Sequence, residues 1–148
     1  MELVCGPIRA IDVHHEIPFV CSIVGNGGSD HIVVMYSVGC EIDDIQRDKE
    51  FSIPTARLSN WISDSIEQGI YTPGECDIVI YDRDRLRVRL CHESDIHIET
   101  VSPAIIGECV ARWLELGHRI RRKRLTAGKG WQSVWSVEDA ISALNIGD

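Results

Sequence analysis

The sequence predicts an α+β fold: a largely antiparallel sheet of about six strands, in two meanders, covered by two or three helices. Three observations carry that expectation. Leu86 to His92 alternates apolar and polar residues at the two-residue period of a strand. Ile106, Cys109, Val110, Trp113, Leu114 and Ile120 recur at the three- and four-residue spacing of an amphipathic helix. The order of such segments, strands before helix and strands before helices, matches α+β rather than alternating βαβ units. With 148 residues, 44% of them hydrophobic, the chain suits one domain spanning 1–148 with a single continuous core.

Taken in order, Ile8 to Val13 alternates, Ile17 to Val24 is apolar, and His31 to Val38 is rich in β-branched and aromatic residues, so each reads as a strand. Between the last two, Gly25-Asn26-Gly27-Gly28-Ser29-Asp30 reads as a hairpin turn rather than a phosphate loop, which would need a helix N-terminus and a fixed glycine and lysine spacing. Residues Glu41 to Glu50 are acidic and polar and read as a loop or frayed strand edge. Ser52-Ile53-Pro54 sets up a helix start, with Leu58, Trp61, Ile62, Ser65 and Ile66 on one face and Gly69 as its terminator. After the Thr72-Pro73-Gly74 turn come strands at Cys76 to Tyr81, Leu86 to His92 and Ile96 to Val101, the first two joined by Asp82-Arg83-Asp84. Ser102 is the expected N-cap of the long helix and Pro103 its first residue. That helix is expected to run into Arg119, Arg121, Arg122, Lys123 and Arg124, whose charge offsets its dipole. A closing helix is expected from Ser136, with Asp139 completing a capping box.

Charge is segregated along the chain. Arg119 to Lys129 carries six positive charges and no negative one, and removing them from the formal charge of −8 leaves −14 on the rest. A negative surface disfavours nucleic acid and suits a cationic partner. No run reaches the roughly 18 apolar residues of a membrane span, and the first residues lack a signal-peptide pattern, so a cytoplasmic protein without membrane contact is expected. Six cysteines lie 15 to 36 residues apart, mostly in apolar runs, which suits buried, reduced thiols rather than a disulfide framework.

Chemistry-bearing groupings are few. His14-His15-Glu16 and Cys91-His92-Glu93 place metal-ligand types side by side, but neighbours on a strand face opposite ways, so neither triplet is expected to converge on an ion, and no metal or cofactor is expected. His92 with His97, or either with Cys76, stays open. The expected role of His92 is a buried, hydrogen-bonded side chain. Cys91, Glu93 and His97 are the first candidates if catalysis occurs, although no nucleophile-elbow pattern or helix-start cysteine is present. Arg85, Arg87, Arg89 and Cys91 should share one strand face, opposite Leu86, Val88 and Leu90, with the arginines solvated and paired to residues such as Asp77. Without interleaved aromatics they make a poor nucleic-acid surface.

Trp61 and Trp113 fall on apolar helix faces, whereas Trp131 and Trp135 lie four apart between a loop and the closing helix. The order of a meander, a Ser52-to-Pro54 helix start leading to Trp61, a strand pair, and Trp135-Ser136 before a last helix resembles bacterial immunity proteins that neutralise contact-dependent or other polymorphic toxins. The likeness covers residues 50 to 144 in element order. It implies a single-domain, non-enzymatic inhibitor that binds a cationic toxin through an acidic surface. The residues for that contact, chosen on charge alone, are Glu41, Asp43, Asp44, Asp48 and Glu50. The alternative is a small enzyme or ligand-binding domain with a pocket at Cys91, His92 and His97. A third reading is a nucleic-acid accessory using Arg119 to Lys129 with Arg85, Arg87 and Arg89.

Overall fold

The computed structural model describes residues 1–82, 85–123 and 132–134. Among them, eight strands form one sheet: β1 (Glu2–Cys5), β2 (His31–Tyr36), β3 (Phe51–Pro54), β4 (Ile78–Asp82), β5 (Leu86–Leu90), β6 (Ile96–Thr100), β7 (Ile120–Lys123) and β8 (Gln132–Val134). Their order across the sheet is β3-β2-β4-β5-β6-β1-β7-β8, and every neighbouring pair is antiparallel. Three helices, α1 (Ala10–Gly25), α2 (Leu58–Glu67) and α3 (Pro103–Glu115), accompany it. The α+β expectation holds, with more strands than the sequence suggested.

The helices share one core with one face of the sheet. Leu3, Val34, Ile80, Val88 and Ile98 from the strands meet Val20 and Ile23 of α1, Leu58 and Ile62 of α2, and Cys109 and Trp113 of α3. Alternation along each strand sends the other residues to the opposite face, where register aligns Tyr81, Arg87, Glu99 and Glu2 in one row and Val79, Arg89, His97 and Val4 in the next.

The opening differs most from expectation. Ile8 to Val24 is not two strands but mainly α1, and Gly25 to Asp30 links a helix to β2 instead of closing a hairpin. The buried residues of α1, Val13, Glu16, Ile17, Val20, Ile23 and Val24, have helical spacing, but the charged Glu16 breaks the apolar pattern and Pro18 stands inside the helix on its exposed side. The first strand is instead the four-residue β1, inserted between β6 and β7.

Two further elements move. Phe51–Pro54 pairs with β2 at the sheet edge, where proline is tolerated, and the helix begins only after the turn at Thr55–Arg57. Ser102 caps α3 as expected, accepting a hydrogen bond from the Ile105 N–H at 3.4 Å. That helix ends at Glu115, with Gly117 at φ 73° reversing the chain, so Arg121, Arg122 and Lys123 belong to strand β7 and not to a helix end. Arg83, Asp84, Arg124 to Lys129, Trp131, Trp135 and the closing helix expected from Ser136 lie outside the described residues. No helix among the described residues is long and apolar enough to cross a membrane.

Candidate functional site

The acidic segment is a loop, residues 37–50, between β2 and β3. Its base is tied to the sheet: Ser37 donates to the Asp77 carbonyl, Asp77 N–H donates to Val38, and the Cys40 thiol donates to Asp77 O at 3.2 Å. Its far end closes on itself, with Gln46 and Arg47 N–H bonded to Asp43 O, and Asp48 at φ 60° returning its N–H to Tyr36 O. The side chains of Glu41, Asp43, Asp44, Asp48 and Glu50 are all exposed. Among the described residues, cations do little to neutralise them: Arg47 stands 3.8 Å from an Asp44 carboxylate that is 98% exposed, and Lys49 lies over the Phe51 ring at 5.6 Å. Glu50 accepts the Tyr81 hydroxyl.

Between these carboxylates the loop presents Ile45, 90% exposed. Beside the loop runs a groove of about 260 Å³ floored by Tyr36, Phe51, Trp61 and Ile70 and edged by Ile42 and Asp64. A shallower depression lined by Glu41, Ile42 and Asp43 borders it. The sequence pointed to the acidic residues; it did not reveal that Ile45 faces outward or that two aromatics from different elements, Phe51 of β3 and Trp61 of α2, meet there at 5.8 Å.

The second candidate forms around the β5–β6 turn. Here the chain leaves strand geometry after Leu90: Cys91 N–H donates to Asp95 O, Ser94 N–H to Cys91 O, and Ser94 sits at φ 60°. Adjacency therefore does not separate Cys91 from His92, contrary to the strand argument; Sγ and Nδ1 are 3.8 Å apart. Asp77 Oδ1 accepts both the His92 backbone N–H at 2.6 Å and its ring Nδ1 at 2.7 Å. His92 is exposed rather than buried, and Asp77 pairs with it instead of with an arginine. On the other side of Cys91, Asp95 contacts His97 Nε2 at 3.0 Å and Arg121 Nη2 at 3.1 Å, while His97 Nδ1 meets Glu2 at 2.8 Å. His92 and His97 thus flank Cys91 as two separate carboxylate-imidazole pairs. Cys76 turns away, its thiol donating to Gly39 O, and Glu93 is exposed to solvent.

Burial pushes the Cys91 thiol up to about 12, with Asp77 and Asp95 adding to it, so the group is protonated at neutral pH and a weak nucleophile. All six cysteines are free thiols, five of them buried. For His97, burial opposes the charged ring, but hydrogen bonds to Asp95 and Glu2 outweigh it and raise its pKa. Asp95 is held below the usual carboxylate range because the His97 and Arg121 contacts overcome its burial.

The other candidates resolve structurally. In α1, His14 and His15 face solvent while Glu16 is buried, so that triplet does not converge. Glu16 instead takes a two-pronged contact from Arg112 at 2.8 and 2.9 Å, plus the Trp113 indole N–H at 3.1 Å, a link between α1 and α3 that no local pattern announces. Arg85 turns to Asp82 and Val24 O, leaving Arg87 and Arg89 on the outer face beside Glu2, Glu99 and His97 around a small cleft of about 120 Å³. Carboxylates share that face, which disfavours a polyanion. No family model, curated protein or solved structure matches the chain significantly.

Proposed function

We propose that the chain is a non-enzymatic binding protein that captures a cationic protein partner on the Glu41–Glu50 loop and its adjoining groove, most specifically as an immunity-type inhibitor of a bacterial toxin. One observation carries this reading: exposed carboxylates, scarcely neutralised by any described residue, surround an isoleucine that is 90% exposed, beside an aromatic-floored groove. Carboxylates on the rim steer a positive partner, and an apolar centre supplies contact energy once the two meet. Ile45 in particular stands outside the core that the described residues form. The protonated Cys91 thiol weighs against the alternative of a Cys/His catalytic pocket.

The test is co-expression with candidate cationic toxin domains, taken first from any toxin gene adjacent to this one, scored by cell survival. Wild type should rescue growth. Asp43→Lys with Asp44→Lys should slow association roughly 10-fold or more at low salt, a difference that fades as ionic strength rises. Ile45→Asp should speed dissociation instead. Rescue and association unchanged in both variants would overturn the assignment of this surface.

A further inference from the structure

We propose that Asp77, Cys91 and His92 form a binding site for a thiophilic divalent cation of the zinc type, separate from the acidic loop. Their ligand atoms converge, each within 4.8 Å of the others, and they supply one sulfur, one nitrogen and one oxygen donor. Such a mixed set suits Zn²⁺ rather than Mg²⁺ or Ca²⁺, which prefer oxygen alone. Tetrahedral zinc with ordinary bond lengths places sulfur and nitrogen ligands about 3.6 Å apart. Cys91 Sγ and His92 Nδ1 stand at 3.8 Å.

The remaining adjustment is small. Asp77 Oδ1 and His92 Nδ1 are now 2.7 Å apart, sharing a proton, and both would need to be about 0.7 Å further apart to bind one ion. The scaffold holds two of the three donors in place. Asp77 is fixed by backbone bonds to Ser37 and Val38 on the β2 side, and Cys91 by its N–H to Asp95 O. His92, 40% exposed, provides the route in from solvent and leaves the fourth position to water.

The neighbouring pair does not compete. Asp95 already serves His97 and Arg121 through its two oxygens, and His97 uses both ring nitrogens on Asp95 and Glu2. Asp95 stays within 4.8 Å of Cys91 as a second carboxylate close to the ion.

The Asp77 carboxylate accepts the proton on His92 Nδ1, and coordination through Nδ1 displaces that proton to Nε2 or to solvent. The Cys91 S–H bond breaks, its electron pair binds the metal, and the thiol proton leaves for solvent.

The experiment is a Co²⁺ titration of EDTA-stripped, phosphine-reduced full-length protein, read by near-ultraviolet absorbance, followed by displacement with Zn²⁺. We expect a thiolate-to-cobalt charge-transfer band saturating at one equivalent and bleached by Zn²⁺. Cys91→Ser should abolish the band. His92→Gln, at an exposed side chain and therefore safe for folding, should weaken Co²⁺ binding at least 10-fold, and Cys21→Ser should change nothing. Absence of a thiolate band in the wild type, or a band that persists in Cys91→Ser or is undiminished in His92→Gln, overturns the site. Partner capture by the acidic loop is read separately and does not depend on the outcome.

Discussion

Replacing Arg112 with methionine should cost far more stability than replacing its partner Glu16 with glutamine. The Glu16 carboxylate is 2% exposed and the Arg112 side chain 37% exposed, so the two ends of one ion pair face different alternatives when left alone. Without Arg112 the buried carboxylate keeps, among the described residues, only the Trp113 indole N–H, 3.1 Å away. Removing one partner of a buried pair costs about 3–5 kcal/mol. Glu16→Gln keeps an oxygen for Trp113, and the abandoned guanidinium still reaches water, so the loss falls to about 1–2 kcal/mol. In urea, with a slope near 2 kcal/mol per molar, the midpoint should drop by about 1.5–2.5 M for Arg112→Met and about 0.5–1 M for Glu16→Gln. Glu16→Leu combined with Arg112→Met should recover most of the loss by exchanging the pair for apolar packing. Equal midpoints for the two single variants, or a larger loss in Glu16→Gln, would refute the asymmetry.

Other consequences can be checked alongside it. Since burial lifts Cys5, Cys91 and Cys109 to about 12, native protein at pH 7.5 should label slowly with a thiol reagent, the half-buried Cys21 first, and mass spectrometry showing Cys91 modified first would contradict this. His97 has a raised pKa, so its contribution to stability is fully present below the ordinary histidine value of 6.5 and is lost as pH rises through the higher folded value. Denaturation midpoints measured in EDTA should accordingly fall across that interval in wild type and fall less in His97→Gln. Gly39→Ala should destabilise by about 1–3 kcal/mol, since φ is +82° and a Cβ would lie 2.6 Å from Glu75 O; an unchanged melting temperature would show that the loop base relaxes freely. Ser102→Ala should cost about 1 kcal/mol through loss of the α3 cap, measurable in the same urea series.

Local residue order was enough for the parts whose residues answer to near neighbours. Leu86 to Leu90 alternates so regularly that only a half-buried strand suits it, and Ser102-Pro103 marks a helix start whatever lies beyond. The acidic loop was legible for the same reason, because charge density is local. Tertiary structure decided the rest. Glu16 obscured the helical period of α1 because a buried carboxylate makes sense only when Arg112 and Trp113, distant in sequence, come to meet it. Four-residue β1 has too little pattern to announce itself, and it becomes a strand because β6 and β7 supply hydrogen-bond partners on both sides. The Cys91 turn shows the same limit at a candidate site. Alternation rightly separates neighbours along a strand, but the turn after Leu90 ends it, and Asp77 arrives from the far side of the β4–β5 pairing to join Cys91 and His92. Sequence fixes what each residue prefers, and long-range packing fixes which preferences can be met together.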